Sequence, residues 1–229
     1  MMTYARYAIY YALAPGPLAD FGASWLGWDI ADGAPRAHPD LPDLPRPVDE
    51  ITRTPRKYGF HGTVKPPFRL AEGTDAEALT TAARAACAAQ RPVTLDGLAL
   101  TRIGRFLALT PVGDTRPLSD LAATMVRDLD PFRAPAPEAE LARRRQRGLT
   151  DRQDALLTQW GYPYVMEEFR FHLTLTGPLP GSEAEDILPR LGVILAPLLT
   201  GPVTIDSLCL AGERPDGRFE IVHRLPLAG

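Results

Sequence analysis

Apolar residues recur every second position in some segments of the chain and every three or four positions in others. The first pattern predicts strands at 4–13, 59–65, 93–101, 105–111, 169–176, 203–210 and 219–225. The second predicts helices at 17–28, 75–90, 118–129, 138–147, 151–160 and 182–199. Gly104 marks a hairpin turn between the third and fourth strands. The chain therefore combines strands and helices.

Prolines dominate one segment near the start of the chain. Six of them lie between residues 33 and 56, with few apolar residues between them. We expect an extended loop from Asp32 to Pro55, which either closes over a functional site or only connects neighbouring elements.

Three motifs recur in the second half of the sequence, in the same order. PLAD at 17–20 returns as PLSD at 117–120, FHGT at 60–63 as FHLT at 171–174, and VTLDGL at 93–98 as VTIDSL at 203–208. The offset is 100 residues for the first motif and 111 and 110 for the other two. The second half therefore contains an insertion within residues 121–168.

The repetition predicts an internal duplication. We expect one bilobal domain over residues 1–229, with repeat 1 at about 4–103 and repeat 2 at about 104–229. A twofold relation between the repeats would place a polar strand face of each on opposite sides of a shared groove.

The repeated FHxT motif contains the candidate chemistry. Side chains alternate between the two faces of a strand, so the phenylalanines and the other apolar residues share one face and the histidines share the opposite face. The histidine face contains seven candidate site residues: His61, Thr63 and Lys65 in repeat 1, and Arg170, His172, Thr174 and Thr176 in repeat 2.

Two imidazoles with hydroxyls and cations are suited to phosphate chemistry. One histidine can remove a proton from the attacking oxygen while the other protonates the leaving oxygen. Threonine hydroxyls and the cations of Lys65 and Arg170 can bind the phosphate oxygens. The scheme needs no metal or other cofactor. The two histidines could instead be metal ligands, but they lack a carboxylate or thiol to complete the set.

Other chemically notable residues favour ordinary roles. His38 and His223 have no counterpart in the other repeat and are interpreted as structural or surface histidines. The basic run Arg143, Arg144, Arg145 and Arg147 is typical of a solvated helix face. Lys65 could equally be a charge at a strand end.

Composition limits the possible partners and compartments. A net charge of -3 and a pI near 5.8 exclude coating of nucleic acid by bulk positive charge, so we do not expect a nucleic-acid partner. No segment has the roughly 18 uninterrupted apolar residues of a membrane span, so we expect no membrane partner. Cys87 and Cys209 lack a CxxC spacing and are typical of buried hydrophobic residues. We expect a cytoplasmic protein.

The paired histidine motifs resemble those of the 2H phosphoesterase superfamily. The longer strings RYAIYYAL, FGASWLGWD, RKYGFHGTVKPPF and FRFHLTLTGPL resemble more narrowly DUF1045, a family of unknown function associated with phosphonate metabolism and carbon–phosphorus lyase genes. The superfamily resemblance implies a bilobal α+β fold, in which two antiparallel sheets line a central cleft and the helices pack outside. It also implies metal-independent opening or closing of cyclic phosphodiesters. It makes His61 and His172 the acid and base and Thr63 and Thr174 the phosphate ligands.

The resemblance leaves the substrate open. The narrower family suggests the cyclic phosphate of a small phosphorylated sugar, with the cluster of Arg53, Arg56 and Lys57 available for a second phosphate. RNA ends with a 2',3'-cyclic phosphate form one alternative substrate. Binding of a nucleotide or phosphosugar without turnover forms another alternative function.

Overall fold

The computed structural model describes residues 4–41, 43–146 and 148–229. The strands in this part of the chain are β1 Tyr7–Tyr11, β2 Trp28–Asp29, β3 Ala34–Pro35, β4 Gly62–Phe68, β5 Val93–Leu95, β6 Gly97–Ile103, β7 Phe106–Val112, β8 Leu173–Thr174, β9 Val203–Ile205, β10 Ser207–Glu213 and β11 Phe219–Pro226. The helices are α1 Pro17–Leu26, α2 Val48–Ile51, α3 Arg53–Arg56, α4 Ala76–Ala88, α5 Arg116–Asp128, α6 Glu138–Arg145, α7 Asp151–Trp160 and α8 Gly181–Leu195. Three short 3-10 turns complete the regular structure of these residues.

A seven-stranded antiparallel sheet organises the molecule. Its strand order is β11-β10-β1-β4-β8-β7-β6, and β2-β3 and β5-β9 form separate two-stranded sheets. The mixed α+β class and the antiparallel sheets are confirmed. The two expected sheets are joined rather than separate, because β4 and β8 pair at the middle of the strand order through Gly62 and Leu173.

Two pairings bring a repeat segment against its own counterpart. Gly62 pairs with Leu173, at an offset of 111, and Thr94 of β5 pairs with Thr204 of β9, at an offset of 110. A twofold relation between two repeats requires equivalent residues to meet at the axis in this way. The pairings support the proposed duplication, while the repeat boundaries near residue 103 stay a prediction.

The two halves of the sheet do not coincide with the two repeats along the chain. Strand β6 belongs to repeat 1 but pairs with β7 of repeat 2, through the hairpin that turns at Gly104 with φ 55°. Strand β10 of repeat 2 pairs in turn with β1 of repeat 1. Each half therefore contains a strand contributed by the other repeat, which makes the two halves one folding unit.

The proline-rich segment is more regular than expected. It contains α2, α3 and the short strand β3. Prolines allow this because Pro47 precedes α2 and Pro55 lies in the first turn of α3, where a missing N–H breaks no helical bond. Pro42 lies outside the described residues. The described part of this segment contributes no side chain to the cleft that contains the histidines.

The strand expected at 169–176 is reduced to the two residues of β8. Side chains occupy the carbonyls that a longer ladder would use: Arg170 donates to the oxygens of Glu167 and Phe169, and His172 to the oxygen of Arg170. The predicted helix at 182–199 ends at Leu195 and continues as a 3-10 turn at Ala196–Leu198. Pro189 is accommodated within that helix.

The apolar face of the sheet packs against helices. Ile9 of β1, Val64 of β4 and Leu109 of β7 belong to the same buried cluster as residues of α4, α5 and α8. The phenylalanines of the repeated motif, Phe60 and Phe171, are buried in this cluster too, as alternation predicts. Their burial turns the neighbouring histidines to the opposite face of the sheet.

Helix α1 holds Phe60 in place through a close approach. A Cβ atom on Gly22 would overlap the Phe60 ring, so only glycine lets the helix pack against this residue. Phe60 immediately precedes His61, and the contact therefore supports the segment that leads from His61 into β4.

We predict that Gly22→Ala lowers the free energy of unfolding by about 1–2 kcal/mol, because overpacking outweighs the better helix propensity of alanine. Gly192→Ala in α8 is the matched control, since no atom lies within 4 Å of its added Cβ. The control should raise the free energy of unfolding by about 0.5–1 kcal/mol. Urea denaturation followed by circular dichroism measures both changes. Equal stabilisation by both substitutions would contradict the packing interpretation.

Candidate active site

The two halves of the sheet share a cleft on the face opposite the helical core. Its volume is about 480 Å³. Fourteen residues line it: Arg6, Tyr10, Lys57, Tyr58, His61, Thr63, Pro66, Pro67, Glu140, Arg143, Arg144, Tyr162, His172 and Thr174. Four of the seven residues expected at the site, His61, Thr63, His172 and Thr174, therefore come together here.

The register of β4 and β8 explains why the two motifs meet. In an antiparallel pair, the partner's number falls by one as the residue number rises by one. Pairing of Gly62 with Leu173 therefore sets His61 opposite Thr174 and Thr63 opposite His172. Each histidine lies beside the threonine of the other repeat.

Each of the two histidines is held by a hydrogen bond of the same type. Nδ1 of His61 lies 3.0 Å from the carbonyl oxygen of Gly59, and Nδ1 of His172 lies 2.8 Å from that of Arg170. In both cases the carbonyl belongs to the residue two positions earlier. A carbonyl only accepts, so Nδ1 donates in both rings and Nε2 is left to exchange protons.

The His61 ring is the more enclosed of the two imidazoles. It stacks on Tyr10, with ring centroids 3.7 Å apart, and its Nε2 lies 3.0 Å from Oγ1 of Thr63. The pKa of His61 is lowered from 6.5 to about 4, mainly by burial; the hydrogen bond to the Gly59 carbonyl opposes this shift and the neighbouring His172 adds to it. The imidazole of His61 is therefore neutral at pH 7, with Thr63 donating to its Nε2.

Lys65 does not face the cleft, and the alternation that put it beside His61 is wrong at this position. Tyr10 pairs with Thr63 but Ile9 pairs with Lys65, so Val64 is an extra residue in β4. This bulge reverses the alternation and turns Lys65 toward the helices. Its Nζ donates to the Val126 carbonyl at 2.9 Å and lies 3.6 Å from Asp130.

Thr176 is also placed wrongly by the alternation. It is fully buried, and its Oγ1 accepts a hydrogen bond from the backbone N–H of Leu107 at 3.0 Å. Leu175 and Thr176 both donate to the Leu107 carbonyl, so the regular strand has already ended. Thr176 therefore joins β7 to the chain after β8 and does not reach a ligand in the cleft.

Arg170 lies at the side of the cleft. It lines an adjoining pocket of about 190 Å³, which shares Thr63, Pro66, Tyr162 and His172 with the main cleft. Its Nη1 donates to the Glu167 and Phe169 carbonyls, at 3.0 and 2.8 Å. A role for Arg170 in substrate binding stays a prediction.

Several residues of the cleft come from segments that gave no motif. Arg143 and Arg144 of α6 line it, which corrects their interpretation as part of a solvated helix face. Arg145 does belong to such a face, where it pairs with Asp154 and Glu138. Arg147 lies outside the described residues.

The other basic and histidine residues also differ in whether they line the cleft. Lys57 reaches the cleft, whereas Arg56 donates to the carbonyls of Leu26 and Asp49, and Arg53 does not line the cleft. His38 lies against the Trp25 carbonyl and His223 near Arg84, both away from the cleft. Cys87 and Cys209 are buried, as expected.

The described residues also bear on metal binding and on membrane spanning. Across residues 4–41, 43–146 and 148–229, no three His, Cys, Asp or Glu side chains are grouped closely enough to hold a metal ion. In the same residues, no helix combines the length and apolar character needed to cross a bilayer.

Fold and site together define an α+β protein with one histidine–threonine pair from each half of its sheet in a common cleft. Residues 63–220 match the family model described as "Protein of unknown function (DUF1045)". The chain belongs to this family, which confirms the resemblance found in its motifs.

Two curated relatives have the same name, "Ribose 1,5-bisphosphate phosphokinase PhnN". The protein of Janthinobacterium sp. (strain Marseille) is 40% identical over 231 residues, covering 98% of this chain and 51% of the relative. That of Laribacter hongkongensis (strain HLHK9) is 36% identical over 189 residues, covering 81% and 43%. The chain thus spans about half the length of the curated relatives it matches.

Three solved structures are similar over nearly their full length. The "Crystal structure of phosphoesterase" has a TM-score of 0.44 at 14% identity, covering 98% of this chain and 99% of that one. E. coli LigT complexed with NADP+ gives 0.47 at 14%, covering 99% of both chains, and TT0787 of Thermus thermophilus gives 0.46 at 13%, covering 98% of both. Few residues are shared between this chain and these three proteins.

We predict that Lys65→Met changes the pH dependence of stability. Burial lowers the pKa of Lys65 from 10.5 to about 8, against the opposing effect of Asp130. Between these pH values the unfolded chain binds the additional proton, so wild-type stability rises with pH across this window relative to the variant. The rise should reach about 3 kcal/mol. Urea denaturation of both proteins from pH 7.5 to 10.5 measures it, and parallel curves would show that the Lys65 ammonium is solvated.

Proposed function

We propose that this chain is a metal-independent phosphoesterase that opens a cyclic phosphodiester by hydrolysis. The observation that carries the proposal is the pair of identically held histidines in one cleft, each with Nδ1 on a backbone carbonyl and a threonine beside it. Binding alone requires cations and hydroxyls, whereas two oriented imidazoles supply what proton transfer to and from phosphate oxygens requires.

The unequal surroundings of the rings suggest which histidine is the base. His61 is neutral at pH 7, because burial lowers its pKa to about 4. Its free Nε2 lone pair can accept the proton of a water molecule as the water oxygen bonds to phosphorus. His172 then serves as the acid, which donates its Nε2 proton to the ester oxygen as the bond from phosphorus to that oxygen breaks.

Thr63 and Thr174 flank the position between the rings. Their hydroxyls can donate to the non-bridging oxygens of the phosphate as negative charge accumulates in the transition state. Rotation of the Thr63 hydroxyl from His61 to the phosphate would free Nε2 for the attacking water at the same time. The hydrogen bond between Thr63 and His61 would break in this step.

The names of the curated relatives suggest the substrate class. They are named for ribose 1,5-bisphosphate, and this chain corresponds to about half of each. A 1,2-cyclic phosphate of ribose 5-phosphate, opened by cleavage of its bond to O2, leaves ribose 1,5-bisphosphate. We therefore propose a small phosphorylated sugar as substrate, in a reaction that supplies such a phosphokinase during phosphonate metabolism.

The phosphokinase activity itself is not proposed for this chain. Its two lysines, Lys57 and Lys65, follow Arg56 and Val64, so the sequence lacks the Gly-Lys-Ser/Thr end of a P-loop. That loop is the commonest sequence signature for cradling the phosphates of a nucleoside triphosphate.

We predict that His61→Ala and His172→Ala each lower turnover by about a hundred- to ten-thousand-fold, because each removes one proton transfer. His38→Ala is the control, since His38 lies outside the cleft. Phosphorus NMR should follow ring opening of ribose cyclic phosphates with and without EDTA. Unchanged turnover in either cleft variant, or loss of turnover in EDTA, would refute the scheme.

The same assay separates two alternatives. Faster cleavage of oligonucleotides with a 2',3'-cyclic phosphate end would identify an RNA-processing enzyme. Saturable binding of cyclic phosphates, without product after long incubation, would identify a binding module.

We also predict where activity is lost at low pH. A base with a pKa of about 4 is unprotonated down to that pH, so kcat/KM should fall only as the pH drops through about 4. Measurements of kcat/KM from pH 3.5 to 7 locate this limb, with circular dichroism to show that the protein stays folded. A limb near pH 6.5 would instead indicate that the base is a solvated histidine, which would contradict the assignment to His61.

A further inference from the structure

The cleft has more positive charge than one cyclic phosphate diester requires. Arg6, Lys57, Arg143 and Arg144 line it, against the single carboxylate of Glu140. The chain as a whole has a net charge of -3, so this concentration of cations is local. A cyclic phosphodiester bears one negative charge, and the proposed threonine contacts already serve its oxygens.

Ion pairs inside the protein account for only part of the surplus. Arg6 forms a two-bond pair with Glu213, with both N···O distances 2.6 Å, and is thereby neutralised. Lys57 and Arg143 have no carboxylate within 4.0 Å in the part of the chain that the structure describes. Both of these cations are exposed to the cleft and available to an anionic ligand.

Arg144 adds a donor that is buried and has no acceptor. Its Nη2 donates to Glu140 at 2.9 Å, and its guanidinium lies 5.0 Å from the centre of the Tyr162 ring. These contacts orient the side chain. Its Nε is buried and has no hydrogen-bond partner among the described residues. A buried N–H without an acceptor is costly, and an anionic oxygen in the cleft would satisfy it.

None of the three cations lies in β4 or β8, the strands that directly follow the two histidines. Arg143 and Arg144 belong to α6, which lies in the region, residues 121–168, where the offset between the repeats rises from 100 to 111. Lys57 follows α3 and lies over the Tyr58 ring, with Nζ 4.5 Å from its centre. The cleft is therefore symmetric at the histidines and asymmetric at its basic wall, which consists of Lys57, Arg143 and Arg144.

We propose that Lys57, Arg143 and Arg144 form a second anion subsite, which binds a phosphate monoester on the substrate other than the phosphate being cleaved. The inference rests on the proposed function and deepens it, because it makes a terminal phosphate the group that selects the substrate. A dianionic monoester matches two unpaired cations together with an unsatisfied guanidinium N–H. The cleft volume of about 480 Å³ is within the range of sites for small molecules.

The test compares ribose 1,2-cyclic phosphate with and without a 5-phosphate. The quantity measured is the ratio of kcat/KM for the phosphorylated substrate to that for the substrate without the 5-phosphate. We expect Arg143→Gln and Lys57→Gln each to lower this ratio by about ten- to a hundredfold, as for loss of a charge-assisted hydrogen bond. Arg145→Gln is the matched control, because it removes the same charge from the same helix outside the cleft and should leave the ratio at the wild-type value.

Three outcomes would overturn the subsite. They are a wild-type ratio near one, an equal fall for both substrates in the cleft variants, and the same fall of the ratio in Arg145→Gln. Failure of the proposed function gives a different result, since the wild type would then turn over neither substrate. Isothermal titration with ribose 1,5-bisphosphate and ribose 1-phosphate, which differ in the 5-phosphate, tests the subsite in that event. Tighter binding of the bisphosphate that Arg143→Gln abolishes would support it, and equal affinities would refute it.

Discussion

The site depends on one backbone pairing, where Gly62 of β4 meets Leu173 of β8. This pairing joins the two halves of the sheet and sets each histidine opposite the threonine of the other repeat. Glycine is needed here because the Phe171 ring occupies the position that a Cβ of residue 62 would take. The same phenylalanine anchors the strand in the core, so the packing that stabilises the junction also aligns the histidines.

Duplication explains what the two histidines share, and local packing explains how they differ. Both rings donate Nδ1 to the carbonyl two residues earlier, which orients each Nε2 in the same way relative to its own strand. The rings then meet different neighbours: His61 stacks on Tyr10, whereas His172 lies beside Phe106 with ring centroids 5.5 Å apart. A symmetric scaffold thus places its two imidazoles in different surroundings.

The sequence was sufficient for the parts of the site that depend on local alternation. The repeated FHxT motif correctly placed His61 and His172 on the polar face and the phenylalanines in the core. Alternation failed where the ladder is irregular. The bulge at Val64 turned Lys65 inward, and the early end of β8 left Thr176 bonded to Leu107. Both irregularities arise from contacts between distant segments, which a periodic pattern within one strand does not record.

The places of Arg143 and Arg144 in the cleft were missed for a different reason. A run of arginines on a helix is compatible with solvent, with ion pairs or with a cleft, and its composition does not distinguish them. Arg144 and Arg145 show this directly, because they are adjacent in the chain but one faces the cleft and the other pairs with Asp154. The docking of α6 against the rest of the protein decides which arginine faces the cleft, and docking is a property of the tertiary structure.

The insertion that broke the repeat offset was the available signal for this asymmetry. Duplicated strands can supply a symmetric pair of acid–base groups, but a twofold arrangement cannot by itself distinguish the two ends of an unsymmetrical substrate. The residues that make the ends of the cleft different must come from outside the symmetric part. Helix α6 lies in the region where the repeat offset changes, and it contributes Arg143 and Arg144 to the cleft. The region that departs from the repeat is therefore where selectivity can arise, while the repeated motifs supply the residues proposed for the chemistry.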